Sequence, residues 1–100
     1  MWCPADLLTV DGYDLQWGTN VMGHFYLTEL LMPALLAGAA ASPDGHARVI
    51  TTSSSGAYLG RLPFDAFRDG PARQKMMTEA LYYQSKLVRR VYRADTQVQD

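Results

Sequence analysis

The sequence predicts an α/β protein that runs long helix, strand, loop, helix, and three observations carry that expectation. First, Thr9 to Ala39 reads as one helix whose apolar residues spread around the axis, a pattern that needs cover on more than one face. Second, "RVITTSS", Arg48 to Ser54, is rich in β-branched residues, lies among turn signals and does not alternate. Such a run fits a strand covered on both faces, as in a parallel sheet. Third, a helical pattern resumes near Met76 and continues through "ALYYQSKLVRRVY".

Each element has local chemistry behind it. Thr9 or Asp11 is placed to cap the first helix. Within that helix Gly18, Asn20 and Gly23 are poor choices by propensity, each costing up to about 1 kcal/mol against alanine. They predict close packing at the glycines and a local irregularity at Asn20 that frees a carbonyl. "ASPDGHA" supplies turn residues before the strand. Gly60, Pro63, Gly70 and Pro71 punctuate the segment after it, which reads as a loop with short helical turns. A single strand has no hydrogen-bonding neighbours, so these residues read as part of a larger domain.

Composition excludes several classes. The net charge of −1 and the scattered cations, apart from Arg89, Arg90 and Arg93, give no electrostatic footprint for nucleic acid. Cys3 is the one cysteine, so no intramolecular disulfide forms, no metal-ligand spacing exists, and a reducing, cytoplasmic location is expected. The segment Val21 to Ala37 is apolar enough to raise a membrane span. Its length is marginal, and His24, Glu29 and Pro33 count against it, so it reads as a buried core helix.

Three features bear on chemistry. Tyr82 and Lys86 are four apart on a helix and share a face, with Tyr83 nearby. An ammonium beside a phenol favours the phenolate and so moves it toward acid–base work. Taken alone, that spacing favours a plain amphipathic helix. Next, "TTSSSG" closes the strand. A serine at the carboxyl end of a parallel strand can donate to a ligand's carbonyl oxygen, although a polar strand end is the commoner meaning. Third is the irregular "WGTNVMGHF" around Asn20. His24 and His46 lack metal-ligand company and read as core or surface histidines.

Together and in this order the three features resemble the short-chain dehydrogenase/reductase family, from about Met1 to Lys86. "TNVMGHFYLTELLMPALL" is similar to the helix carrying that family's active-site asparagine, which implies Asn20. "RVITTSSSG" is similar to the strand ending in its substrate-orienting serine, best aligned with Ser54, with Ser53 and Ser55 adjacent. "YYQSK" matches the tyrosine-x-x-x-lysine motif at Tyr82 and Lys86. The insert with "GRLPFDAFRDG" resembles the retinol-dehydrogenase-like branch, which includes many fungal members.

The resemblance implies part of a Rossmann-like, doubly wound domain over residues 1–86 and hydride transfer between alcohol or carbonyl substrates and NAD or NADP. Asn20, Tyr82 and Lys86 would also contact the cofactor. It implies a proton held by Tyr82, a hydrogen bond from Ser54, a phenol pKa depressed by Lys86, and a water on the Asn20 carbonyl leading toward Lys86. It further implies a homodimer through the long helix and the Tyr82 helix. The family's glycine-rich phosphate turn is not among these residues, and "GAYLG", Gly56 to Gly60, is a poor substitute. Inactivity of the isolated chain is therefore expected, and a non-catalytic helical interaction module is the alternative. Residues 87–100 depart from the family and are expected to fray.

Overall fold

The computed structural model describes residues 2–91; the fraying expected of the tail falls beyond residue 91, outside them. The dominant element is α1, Leu15–Ala41, about 40 Å long at 1.5 Å per residue. Its start is set by Asp14, whose Oδ2 accepts from Trp17 N at 2.9 Å. Neither Thr9 nor Asp11 caps it; Thr9 Oγ1 instead accepts from Tyr13 N at 3.1 Å, within the turn that precedes the helix.

The expected irregularity is present. Gly18–Met22 winds as a π-turn within α1, with Gly23 N–H donating to the Gly18 carbonyl. Asn20 lies at its centre and is buried. The close packing expected at the glycines is clearest at Gly18, where a Cβ would lie 2.3 Å from Thr9 Cγ2. That glycine lets the preceding turn fold directly onto the helix.

After α1 the chain turns at Gly45, which has a φ of 70°, and runs extended through residues 46–54. Here the sequence expectation needs correction. Arg48 to Ser54 is not a strand: among the described residues there is no sheet, only the isolated bridges Leu8–Asp14 and Tyr13–Arg68. A strand exists through the ladder it shares with a neighbour, and these residues have none to offer. The β-branched side chains keep the backbone extended, yet Ile50 is 88% exposed.

The expected loop contains two 3₁₀ turns, Ser55–Leu59 and Phe64–Ala66, and a short helix α2, Pro71–Gln74. The last element is α3, Thr78–Val91. It packs on the Ser55–Leu59 turn and on the start of α1. This junction holds the fully buried Leu81, Gln84 and Ser85, with Gln16 of α1 donating to the Thr78 carbonyl at 3.1 Å.

The core is small, and it lies at one end of α1. Most of the rest of the helix is bare, although Ala39 near its end is buried and Met32 and Leu35 are half-buried, which corrects the expectation of a buried core helix. Phe25, Tyr26, Leu27, Leu30 and Leu31 are all exposed, with Tyr26 at 65%. By length and composition this helix could cross a membrane.

Beneath the helix start lies an ion pair that no sequence spacing announced. Arg73 of α2 is 4% exposed and Asp14 1% exposed. The Nε and Nη2 of Arg73 donate to Asp14 Oδ1 at 3.2 and 3.1 Å. Its Nη2 also reaches the Leu7 carbonyl at 3.0 Å and the Ala5 carbonyl. One guanidinium thus ties the N-terminal loop, the first turn of α1 and α2 together. Beside it, the Trp17 and Phe67 rings stack at 3.7 Å.

Candidate active site

The site is built where the extended segment ends against α3. Lys86 projects from the buried side of α3 and is 9% exposed. An ammonium so enclosed needs an acceptor, and its Nζ donates to the Thr52 carbonyl at 3.3 Å. The same Nζ stands 5.6 Å from the centroid of the Tyr82 ring. Tyr82 and Lys86 therefore share a face as their spacing requires. The Tyr82 ring also meets Trp2, centroid to centroid at 5.2 Å.

The three adjacent serines have different environments. Ser53 Oγ donates to the Lys86 carbonyl at 2.9 Å and so fastens the extended segment to α3. Ser55 is exposed, at the first position of the 3₁₀ turn. Ser54 is half-buried and caps that turn by accepting from Gly56 N at 3.2 Å. An oxygen that accepts in this way keeps its own O–H for donation. Among the described residues no hydrogen bond joins Ser54 to Tyr82.

Asn20 reaches the site from α1. Its Nδ2 donates to Ser85 Oγ at 3.0 Å, and Ser85 Oγ donates to the Tyr82 carbonyl at 2.7 Å. The Asn20 carbonyl, within the π-turn, meets the His24 ring Nδ1 at 3.2 Å and accepts from Arg89 Nε. His24 is thus an exposed residue whose ring meets its own helix and whose carbonyl accepts from Thr28 Oγ1 at 2.8 Å, and His46 sits in the turn against Asp44. Arg89 also donates through Nη1 to the Thr52 carbonyl at 3.2 Å. Burial pushes the Arg89 guanidinium down from its usual value. Asn20 and Lys86 are brought together through Arg89 and Thr52, a connection that the sequence did not reveal.

"GAYLG" has a packing role. A Cβ on Gly60 would lie 2.7 Å from the Tyr83 carbonyl oxygen, and one on Gly56 would lie 2.5 Å from the Tyr83 ring. These glycines let the chain after Ser54 press onto α3. Nothing in that arrangement cradles a phosphate. Among the described residues no group of three or more His, Cys, Asp or Glu is placed to hold a metal.

Comparison with known proteins supplies the context. The chain is 59% identical over 86 residues to a short-chain dehydrogenase/reductase of Armillaria gallica, covering 86% of this chain and 27% of that protein. It is 39% identical over 87 residues to human retinol dehydrogenase 13, covering 87% of this chain and 24% of that protein. A polyprenol dehydrogenase of Danio rerio is 40% identical over 79 residues, covering 79% of this chain and 23% of that protein. The chain thus spans about a quarter of the length of these curated relatives. No family model and no solved structure matches it.

Proposed function

We propose, from the premise that this chain belongs to the short-chain dehydrogenase/reductase family over the stretch it shares with these relatives, that it carries the proton-handling part of an alcohol–carbonyl oxidoreductase. The observation supporting this most directly is the buried Lys86 ammonium, anchored on the Thr52 carbonyl and 5.6 Å from the Tyr82 ring. Tyr82, on the same face of α3 as Lys86, would give or take the proton on a substrate oxygen. Ser54 has an O–H available to hydrogen-bond the same oxygen as charge develops on it. Asn20 holds α1 against the tyrosine helix through Ser85.

The polar groups present fit one end of a nicotinamide dinucleotide. Lys86 has three donors, of which Thr52 takes one, and with Tyr82 it would hold the ribose next to the nicotinamide. Among the described residues the glycines of "GAYLG" pack against Tyr83 and offer the pyrophosphate no cradle. NAD or NADP, when bound, would supply or accept the hydride. The 100 residues alone are accordingly expected to turn over negligibly.

The test is a transplant. The matched segment replaces its counterpart in the Armillaria gallica relative, and nicotinamide absorbance is followed with a panel of aldehydes and ketones. We expect activity in the chimera and a loss of at least a factor of about 100 in Tyr82→Phe. A chimera that folds and binds cofactor but is indifferent to Tyr82→Phe would sink the reading.

A second reading, an interaction or homodimerisation module, is favoured by the bare apolar side of α1. It requires partner binding that survives Tyr82→Phe.

A further inference from the structure

We propose that Trp2 is a specificity-determining residue, whose indole beside Tyr82 forms a wall that favours a carbonyl or alcohol group carried on a flat aromatic ring. The substrate preference rests on the oxidoreductase reading above, while the contact between the two rings does not.

The Trp2 and Tyr82 rings lie 5.2 Å apart between centroids and are tilted by 50°, a separation at which aromatic pairs attract. The N-terminal loop that carries Trp2 is held by buried contacts a few residues on. Its Ala5 and Leu7 carbonyls accept from Arg73 Nη2, the guanidinium paired with Asp14. The Leu7 carbonyl also accepts from Leu15 N at 3.1 Å, at the start of α1. Between this anchor and the indole stands Pro4, which biases Cys3 toward an extended backbone. The clasp at Arg73 thus sets where the indole lies against α3.

A single exposed aromatic is ordinary on a protein surface. This one abuts the phenol that would handle the proton. Trp2 is 53% exposed and Tyr82 is half-buried, so the indole touches the phenol ring and still has surface to offer. A substrate whose oxygen is bonded by Tyr82 and Ser54 brings the atoms next to that oxygen alongside these rings. A flat π-system there can stack on the indole or meet it edge to face, which a saturated ring of the same carbon count cannot do. Both rings bury apolar area. The aromatic term comes on top of that area and discriminates by about 2- to 10-fold.

Two measurements test this. In the 100-residue chain, NOEs should join the Trp2 indole to the Tyr82 ring, and Trp2→Leu should shift the Tyr82 ring protons. In the chimera, with the transplanted segment taken from Met1, benzaldehyde is compared with cyclohexanecarbaldehyde. Trp2→Leu, which keeps apolar bulk and loses the ring, should lower the ratio of their kcat/KM values by about 2- to 10-fold, with the change falling on KM. Trp2→Phe should retain most of the ratio. Missing NOEs in the chain, a ratio unmoved by Trp2→Leu, or kcat lowered equally for both aldehydes would each overturn the inference, because a merely structural indole affects both alike. A chimera indifferent to Tyr82→Phe would sink the oxidoreductase reading alone. NOEs between the Trp2 indole and benzyl alcohol bound to that chimera would then uphold the aromatic subsite, and their absence would overturn it.

Discussion

Gly60 controls how closely the chain after Ser54 approaches α3, and its neighbours decide the cost of changing it. A Cβ there meets the Tyr83 carbonyl at 2.7 Å and Leu87 Cβ at 3.0 Å. Neither can yield unless α3 moves, so Gly60→Ala should cost about 1–3 kcal/mol by overpacking. At Gly56 the obstacle is the Tyr83 ring, which can swing aside, and the loss should be smaller. Urea unfolding of the two variants checks that order. Asp44 gives a pH prediction. The Ser42 hydroxyl above all, then the Arg48 guanidinium and the His46 N–H, hold its carboxyl below the usual carboxylate range. A depressed folded-state pKa contributes stability that is fully present above the unfolded value of about 3.9 and is lost as pH falls through the folded value. The Asp44 ¹³Cγ titration should have its midpoint below about 3.9, and a midpoint at or above that would mean the turn network is absent in solution.

At the scale of elements, Asp14 has two duties: it caps α1 and neutralises a buried arginine. Asp14→Ala should destabilise the chain by about 3 kcal/mol, since it leaves the buried Arg73 with only the longer pair to the half-exposed Asp69 at 3.7 Å. Asp14→Asn retains an acceptor for Trp17 N and should recover about 1 kcal/mol of that loss. Equal losses in the two variants would show that the cap contributes nothing. This pairing also marks a limit of the sequence. Thr9, Asp11 and Asp14 are all chemically competent caps, and the choice falls to Asp14 because of Arg73, 59 residues away. The π-turn, by contrast, was legible in Gly18, Asn20 and Gly23, whose poor helix propensity acts locally. So was the shared face of Tyr82 and Lys86, which helical geometry dictates. The strand at Arg48 to Ser54 was not decidable, because its side chains set an extended backbone but a ladder takes two chains of hydrogen-bonding groups.

Over the whole molecule, extents of 50 × 28 × 20 Å reflect a helix that projects beyond its core. Its exposed Phe25, Tyr26, Leu27, Leu30 and Leu31 form a surface that water disfavours. Sedimentation of the isolated chain should therefore show concentration-dependent association, weakened by Leu30→Glu and Leu31→Glu together. A monomer at all concentrations would count against the homodimer, and binding to lipid vesicles in place of association would favour the membrane. The Asp14–Arg73 pair has a bearing on engineering as well. It draws together residues 59 apart, and the loop it closes includes the exposed turn at Asp44 and Gly45. Loop entropy grows only logarithmically, so doubling the enclosed length adds roughly 0.6 kcal/mol. A reporter domain with adjacent termini could be spliced into that turn, and the clasp at the other end of the helix would still close.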